Sequence, residues 1–410
     1  MLQPVRGTRD IFNEDIKKFN FIVDIAKKIS SLYNFKEIIT PIIEFSDVFE
    51  RNLGDTSDVV SKEIYKFKDR SDNFLSLRPE FTAGIVRAIL SNPELNNNFP
   101  LKLFSYGPAF RYDRPQKGRY RQFNQINFEY FGNATYLGDV DILQMANTIL
   151  KTIGLKNITL EINSLGCEES RSNFETALKT YFEKYKNNLS QDSKIRLEKN
   201  VLRILDSKEE CDKKLLLEAP KISDFYTNDD KEFFNNILDK LSFLNIDYIV
   251  NTNLVRGLDY YTSTVFEFTT TDLGAQSTVL AGGRYDKLMK KMGGMDTPAV
   301  GFASGVERLM LLLENDSVEV RPVAVIPISE NEVNYCLKLK NTLLNNNIKT
   351  ELVYANNMKK KMNLANKIGV KYAIIVGEDE VKSNVLTVKN LDEGKEEKIA
   401  INDVVNYISK

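Results

Sequence analysis

The 410-residue chain contains no histidine. Imidazole is the commonest general base and the commonest zinc ligand, so Ser-His-Asp triads, Cys-His dyads and His-ligated metals are excluded at once. Cysteine is scarce: Cys167, Cys211 and Cys336 are odd in number and far apart. They suit neither a disulfide framework nor a zinc site and read as free thiols in a reducing compartment. Long apolar runs are missing as well. No stretch has the length of a membrane helix, and MLQPVRGTRDIFNEDIKKF at the N-terminus lacks the apolar centre of a secretory signal. The expectation is a cytoplasmic protein without a membrane partner. An excess of one charge is also absent, since 56 Lys and Arg face 57 Asp and Glu. That argues against a surface coated for nucleic acid, yet a local basic groove is compatible with it. There is no Walker A loop, no Gly-x-Gly-x-x-Gly after a strand and no kinase signature. What the chain does have is 42% hydrophobic residues, enough to build cores in two or three domains.

The apolar spacing predicts an amphipathic helix over 13–33, capped by Asn13. A β-rich run at 37–45 follows, with Pro41 marking an edge or a bend. Residues 78–90 read as a turn into a helix, with Pro79 at its start. Strands are expected at 101–107, 109–113 and 122–132, the last two joined by a charged hairpin loop around Gly118. Residues 168–245 are charged, poor in Gly and Pro, and helical in pattern, an insertion between two β-rich halves. Strand patterns resume near 247–268 and 277–281. A helix is expected over 301–315, with Gly301 and Gly305 letting it pack tightly on a sheet. The hydrophilic stretch 315–322 is the linker candidate. Beyond it, strands and helices alternate as in a small α/β unit with a largely parallel sheet.

Chemistry concentrates in five places. Arg111, Arg114, Lys117, Arg119 and Arg121 crowd one hairpin. On the strand after it, alternation puts Phe123, Gln125, Asn127 and Glu129 on one face. Asn124, Ile126, Phe128 and Tyr130 fall on the other, an ordinary packing face. An aromatic, two amides and a carboxylate beside arginines suit an anion together with a polar cation. The guanidinium fork matches phosphate, and Phe123 can stack on a base. The other four are Arg256–Tyr261 before a strand, Gly282–Asp286, Gly301–Arg308, and Glu80 with Thr82 at a turn-to-helix junction. Each alone is weak; a surface arginine or a wet sheet face is the ordinary alternative.

Taken together and in order, these segments resemble the histidyl-tRNA synthetases, a class II aminoacyl-tRNA ligase family, over essentially the whole chain. ITPIIEF is similar to the dimer-forming motif 1, FRYDRPQKGRYRQF to motif 2 and its loop, and GFASGVERL to motif 3. RGLDYYT and AGGRYD resemble signatures of the histidine enzymes within the class. The resemblance implies an α+β protein: a class II antiparallel-sheet catalytic domain over 1–167 and 246–316, a helical insertion over 168–245, and an α/β anticodon-binding domain over 321–410. It implies activation of L-histidine by ATP with Mg²⁺, transfer to the 3′ end of tRNA-His, and a homodimer. Arg111 and Arg256 then correspond to catalytic groups at the α-phosphate. Arg119, Phe123 and Arg308 join Arg111 at ATP. Glu80, Thr82, Gln125, Glu129, Arg256, Tyr260, Tyr261 and Tyr285 correspond to the histidine pocket, and Arg114, Gln116 and Arg121 to contacts with the tRNA acceptor end. No Mg²⁺ ligand is assigned. Phe81 departs from the family's usual glycine, and Asn124 from a common histidine. The alternative is a non-catalytic paralogue that regulates ATP phosphoribosyltransferase in histidine biosynthesis. Such paralogues usually have degraded motifs and lack the C-terminal domain, both of which are intact here.

Overall fold

A computed structural model describes residues 2–50, 63–274, 277–314 and 321–408. The chain divides into two compact units, residues 1–314 and 315–410. Most of the linker expected at 315–322 lies outside the described residues.

The first unit opens with α1 (Glu14–Leu32), whose buried face is Ile22, Ile25, Ala26 and Ile29, an i, i+3, i+4, i+7 stripe. Glu14 and Asp15 in its first turn complement the helix dipole. Then come β1 (Lys36–Glu37), β2 (Ile43–Phe45), α2 (Asp47–Glu50), β3 (Tyr65–Lys68), β4 (Phe74–Leu77), α3 (Thr82–Ser91), α4 (Pro93–Asn96), β5 (Leu101–Phe110), β6 (Gln122–Phe131), α5 (Tyr136–Ile153) and β7 (Thr159–Ser164). Helices α6 (Glu168–Lys184), α7 (Gln191–Lys199), α8 (Glu210–Leu216) and α9 (Asn228–Phe243) follow, with a 3₁₀ turn at Val201–Asp206 between α7 and α8. The unit ends with β8 (Tyr248–Val250), β9 (Thr264–Thr269), β10 (Thr278–Arg284), α10 (Leu288–Lys291), β11 (Ala299–Gly305) and α11 (Val306–Leu312).

Eight strands form one sheet in the order β1-β5-β6-β11-β10-β9-β7-β8. Its inner pairs are antiparallel, and only the edge pairs β1/β5 and β7/β8 are parallel. One face buries Phe104, Ile126, Phe128, Phe266, Val300 and Phe302 against α1, α5, α9 and α11. The other face carries the polar residues of the site. A separate antiparallel sheet, β2-β4-β3, stands beside it.

Three expectations change in detail. The 37–45 run is not one strand: β1 joins the large sheet and β2 the small one, and the chain switches sheets around Pro41, which has no N–H to continue a ladder. The runs at 101–107 and 109–113 are a single strand ending at Phe110. Pro108 keeps its register opposite Asn124, and Arg111–Asp113 belong to the loop. The helix expected from 301 begins only at Val306. Residues 299–305 pair with both β6 and β10, so ladder bonds on two sides outweigh the local helical pattern. The close approach that Gly301 permits is therefore made by a strand.

The second unit contains β12 (Val323–Pro327), α12 (Val333–Asn345), β13 (Thr350–Leu352), α13 (Met358–Ile368), β14 (Tyr372–Val376), α14 (Glu378–Ser383), β15 (Val385–Asn390), β16 (Glu396–Ala400) and α15 (Val404–Ile408). Its sheet runs β13-β12-β14-β15-β16, with the first three strands parallel and the last two antiparallel. Val323, Val325, Leu339, Leu343, Ile374 and Leu386 make one side of its core.

Candidate active site

The row of residues across the large sheet at Glu129 explains why a cavity forms there. Leu103, Glu129, Gly301, Gly283, Val265 and Asn163 are successive cross-strand partners. Two adjacent glycines leave the middle of this row without side chains. A Cβ on Gly301 would lie 1.8 Å from the Glu129 carboxylate, and one on Gly283 would lie 2.7 Å from the Tyr261 ring. The glycines thus admit the carboxylate from one side and the phenol from the other.

The resulting cavity has a volume of about 390 Å³. It brings together Glu80, Thr82, Arg111, Arg119, Phe123, Gln125, Glu129, Arg256, Tyr260, Tyr261, Tyr285 and Arg308, which the sequence had scattered over more than 200 positions. Arg114 and Gln116 do not line it; both are exposed on the hairpin loop. Arg121 lies outside it too. Its guanidinium stacks 3.8 Å above the Tyr112 ring, and its aliphatic stem fills the space over Gly7, at φ +87°.

At one end the site is built around a buried carboxylate. Thr82 Oγ1 and the Tyr285 hydroxyl both donate to Glu129. Burial nevertheless dominates and pushes the Glu129 carboxyl up to about 8, against the pull of those donors. Tyr285 and Tyr260 are raised well above the ordinary phenol value by burial, with neighbouring tyrosines and Glu129 adding to it, so both remain donors. Glu80 faces the same cavity, but its two oxygens accept the backbone N–H groups of Thr82 and Ala83 at 2.6 and 2.9 Å. It thereby caps α3. Gln125 Oε1 and Asn127 Oδ1 are buried without a hydrogen-bond partner. Two orphan acceptors beside a carboxylate want a donor-rich cation.

The other end is cationic. Arg111 is anchored by Nε donating to the Pro79 carbonyl at 2.9 Å, and its guanidinium lies 5.5 Å from the Phe123 ring centroid. Arg119 pairs with Asp113 at 3.0 Å. Arg308, in the first turn of α11, donates to the Thr278 carbonyl. Burial lowers the guanidinium values of Arg111 and Arg308, and Arg119 adds repulsion to both. Arg256 is paired with Glu267, while its Nε is buried and unpartnered. Four guanidiniums converging on one space, two of them desolvated by burial and one with an unpartnered Nε, favour a multiply charged anion.

Strand alternation in β6 is as the sequence indicated. Asn124 points away from the cavity; its N–H and Nδ2 donate to Glu307 at 2.8–3.0 Å. Glu307 itself reaches the cavity wall, as do Arg203 and Asp206 of the helical insertion. Glu307 sat unremarked within a recognised motif. For Arg203 and Asp206, about fifty residues before the segment they meet, periodicity carries no signal.

The sheet and the residues it gathers have a class II aminoacyl-tRNA synthetase architecture: an antiparallel sheet bearing a carboxylate pocket at one end and a cluster of arginines at the other. The family described as Histidyl-tRNA synthetase matches residues 7–170 and 176–309, and the one described as Anticodon binding domain matches residues 322–410. The histidine–tRNA ligase of Rickettsia bellii is 46% identical over 100% of this chain and 99% of its own. That of Orientia tsutsugamushi is 48% identical over 99% of this chain and 98% of its own. The apo crystal structure of S. aureus histidyl-tRNA synthetase superposes with a TM-score of 0.82 at 34% identity, covering 100% of both chains. The chain belongs to the histidyl-tRNA synthetase family, and it is an aminoacyl-tRNA ligase.

Proposed function

We propose that the cavity binds L-histidine at its Glu129 end and ATP at its arginine end, and joins them before transfer to tRNA-His. The observation that carries this reading is the pairing, in one space, of a buried carboxylate flanked by orphan amide acceptors with partly unsatisfied guanidiniums. Glu129 suits the α-ammonium group, and Tyr261 and Tyr285 suit the imidazole. Phe123, which lines the cavity beside Arg111, suits stacking on adenine. Arg111 and Arg256 take the α-phosphate; Arg308, helped by Arg119, takes the γ-phosphate. A histidine carboxylate oxygen attacks the α-phosphorus, and its bond to the pyrophosphate oxygen breaks. A terminal ribose hydroxyl of the tRNA then attacks the acyl carbon and AMP leaves. With no histidine in the chain, a phosphate oxygen of the adenylate is the proton acceptor in that step. The arginines act by position and charge rather than as nucleophiles. Arg114, Gln116 and Arg121, on and beside the hairpin loop, are proposed contacts for the acceptor end. The test is pyrophosphate exchange dependent on both histidine and ATP, followed by charging of tRNA-His. Exchange with another amino acid in preference to histidine would overturn the reading.

Mg²⁺ is expected as the companion of ATP. Among the described residues no group of three His, Cys, Asp or Glu side chains is arranged to hold a metal. No step above runs through it. Among those residues also, no helix is long and apolar enough to cross a membrane, which is compatible with the cytoplasmic placement proposed.

The small sheet supports a homodimer. Ile43, Phe45 and Phe67, on one face of β2 and β3, are 41–58% exposed, a larger apolar surface than isolated side chains need. A two-fold contact of this sheet around Pro41 is expected to give a dimeric mass in solution, measurable by light scattering. A fully active monomer at micromolar concentration would contradict it.

Residues 321–410 are proposed to bind the anticodon, in keeping with the match of 322–410 to an anticodon-binding family. Removing them is expected to lower tRNA charging at least tenfold more than pyrophosphate exchange, on the order of what loss of a binding module brings. An equal fall in both activities would make the unit a support for the catalytic core instead.

A further inference from the structure

The loop that carries Arg256 belongs to no helix or strand. Between β8, ending at Val250, and β9, starting at Thr264, the chain runs irregularly past the cavity. A guanidinium that must meet a developing charge needs a rigid support, and this loop has little ladder of its own. The support comes from the helical insertion. Arg203, in the 3₁₀ turn after α7, donates from Nη2 to the Gly257 carbonyl at 2.5 Å and lies 3.4 Å from the Asp259 carboxylate. Asn200 Nδ2 reaches the same carboxylate at 3.3 Å. Arg171 of α6 donates from Nη1 to the Tyr261 carbonyl at 3.0 Å. The insertion therefore grips the loop at both ends of the 257–261 stretch. Beneath these bonds Leu202, Ile204 and Leu205 share a core with Leu254, Val255 and Tyr261.

The insertion is itself held fast at its root. Asp230, at the start of α9, accepts from the Cys167 N–H at 2.8 Å and from Ser170 Oγ at 2.5 Å, and it closes a capping box with Thr227. One carboxylate thus ties the segment's first helix to the start of its last. Arg203 Nε is buried without a partner, like Nε of Arg256, and both side chains line the cavity.

We propose that Arg203 is a positioning residue for adenylate formation: it clamps the insertion onto Gly257 and Asp259 and so fixes Arg256 at the α-phosphate. This rests on the role given to Arg256 above, and the test separates the two.

Pyrophosphate exchange is measured for the full chain carrying Arg203→Ala, Arg203→Lys, Asp259→Asn, Arg256→Ala, and Arg203→Ala with Arg256→Ala, each with its thermal midpoint. A loosened loop misplaces Arg256, so Arg203→Ala is expected to lower kcat about 10- to 100-fold, with KM for histidine and ATP within about threefold. Arg203→Lys keeps a donor for the Gly257 carbonyl and recovers part of the loss. The double variant should be no slower than Arg256→Ala alone, because Arg203 acts through Arg256. A merely structural arginine would lower the thermal midpoint and give losses that multiply. If Arg203→Ala does not fold, Arg203→Lys and Asp259→Asn complete the same cycle with Arg256→Ala. Wild-type kcat in Arg203→Ala beside an inactive Arg256→Ala overturns this proposal alone, as do multiplying losses. Wild-type exchange in Arg256→Ala overturns the reading it stands on.

Discussion

Arg256→Ala is expected to lower kcat for pyrophosphate exchange about 10²- to 10³-fold, the usual loss when a donor aimed at developing charge is removed. Its guanidinium is paired with Glu267 on β9, and Glu267 also accepts from Thr278 Oγ1 at 2.6 Å on β10. That bridge fixes one edge of the fork and leaves Nε without a partner. In the role proposed for it, the unsatisfied donor would be stabilised when phosphate oxygen arrives, and more so as charge grows there. Arg256→Lys keeps the charge, but a single ammonium cannot bridge Glu267 and phosphate in the same plane. It is expected to recover no more than about tenfold. The fold should survive, since Arg256 is only part-buried and lies in a loop. Exchange near the wild-type rate in both variants, with unchanged thermal midpoints, would remove Arg256 from the chemistry.

How far such roles were legible in the sequence depended on whether they are encoded locally. Period-two alternation in 122–131 sorts Phe123, Gln125, Asn127 and Glu129 from Asn124, Ile126 and Phe128, and the folded strand sorts them the same way. Strand geometry leaves no other arrangement once both neighbours are paired. The insertion was legible as helix, since its apolar spacing comes from within each segment. Its contribution to the cavity was not, because Arg203 meets Gly257 and Asp259 only after α6 through α9 have packed. Residues 299–305 were misread for a related reason. The stretch joins apolar residues to a true helix, and nothing within it announces that β6 and β10 will supply ladder partners on both sides. Glu80 shows a third kind of limit. Its place in the cavity was foreseen, but its use as a cap for α3 appears only in the hydrogen bonds of Thr82 and Ala83.

Glu129 should make histidine binding a proton-releasing reaction. Burial raises its carboxyl from 4.5 to about 8, so in the ligand-free protein it is largely protonated at pH 7. Because the folded value lies above the unfolded one, the native state binds the extra proton. Its contribution to stability is complete below about pH 4.5 and is lost as pH rises through about 8, with a limiting slope of about 1.4 kcal/mol per pH unit. Glu129→Gln keeps a neutral side chain of the same size and should remove that slope from denaturant unfolding curves taken between pH 5 and 9. The ligand reverses the preference. An α-ammonium beside Glu129 stabilises the carboxylate, so binding at pH 7 expels close to one proton, and the number falls toward zero above the unliganded value. Calorimetry in two buffers of different ionisation heat reads this directly. Glu129→Gln also leaves the ammonium buried without its counter-charge, a loss of about 2–5 kcal/mol. In kcat/KM for histidine that is about 30- to 4000-fold. Binding without proton release at pH 7, or a glutamine variant that activates histidine normally, would mean that another group, with Glu80 the nearest candidate, holds the ammonium.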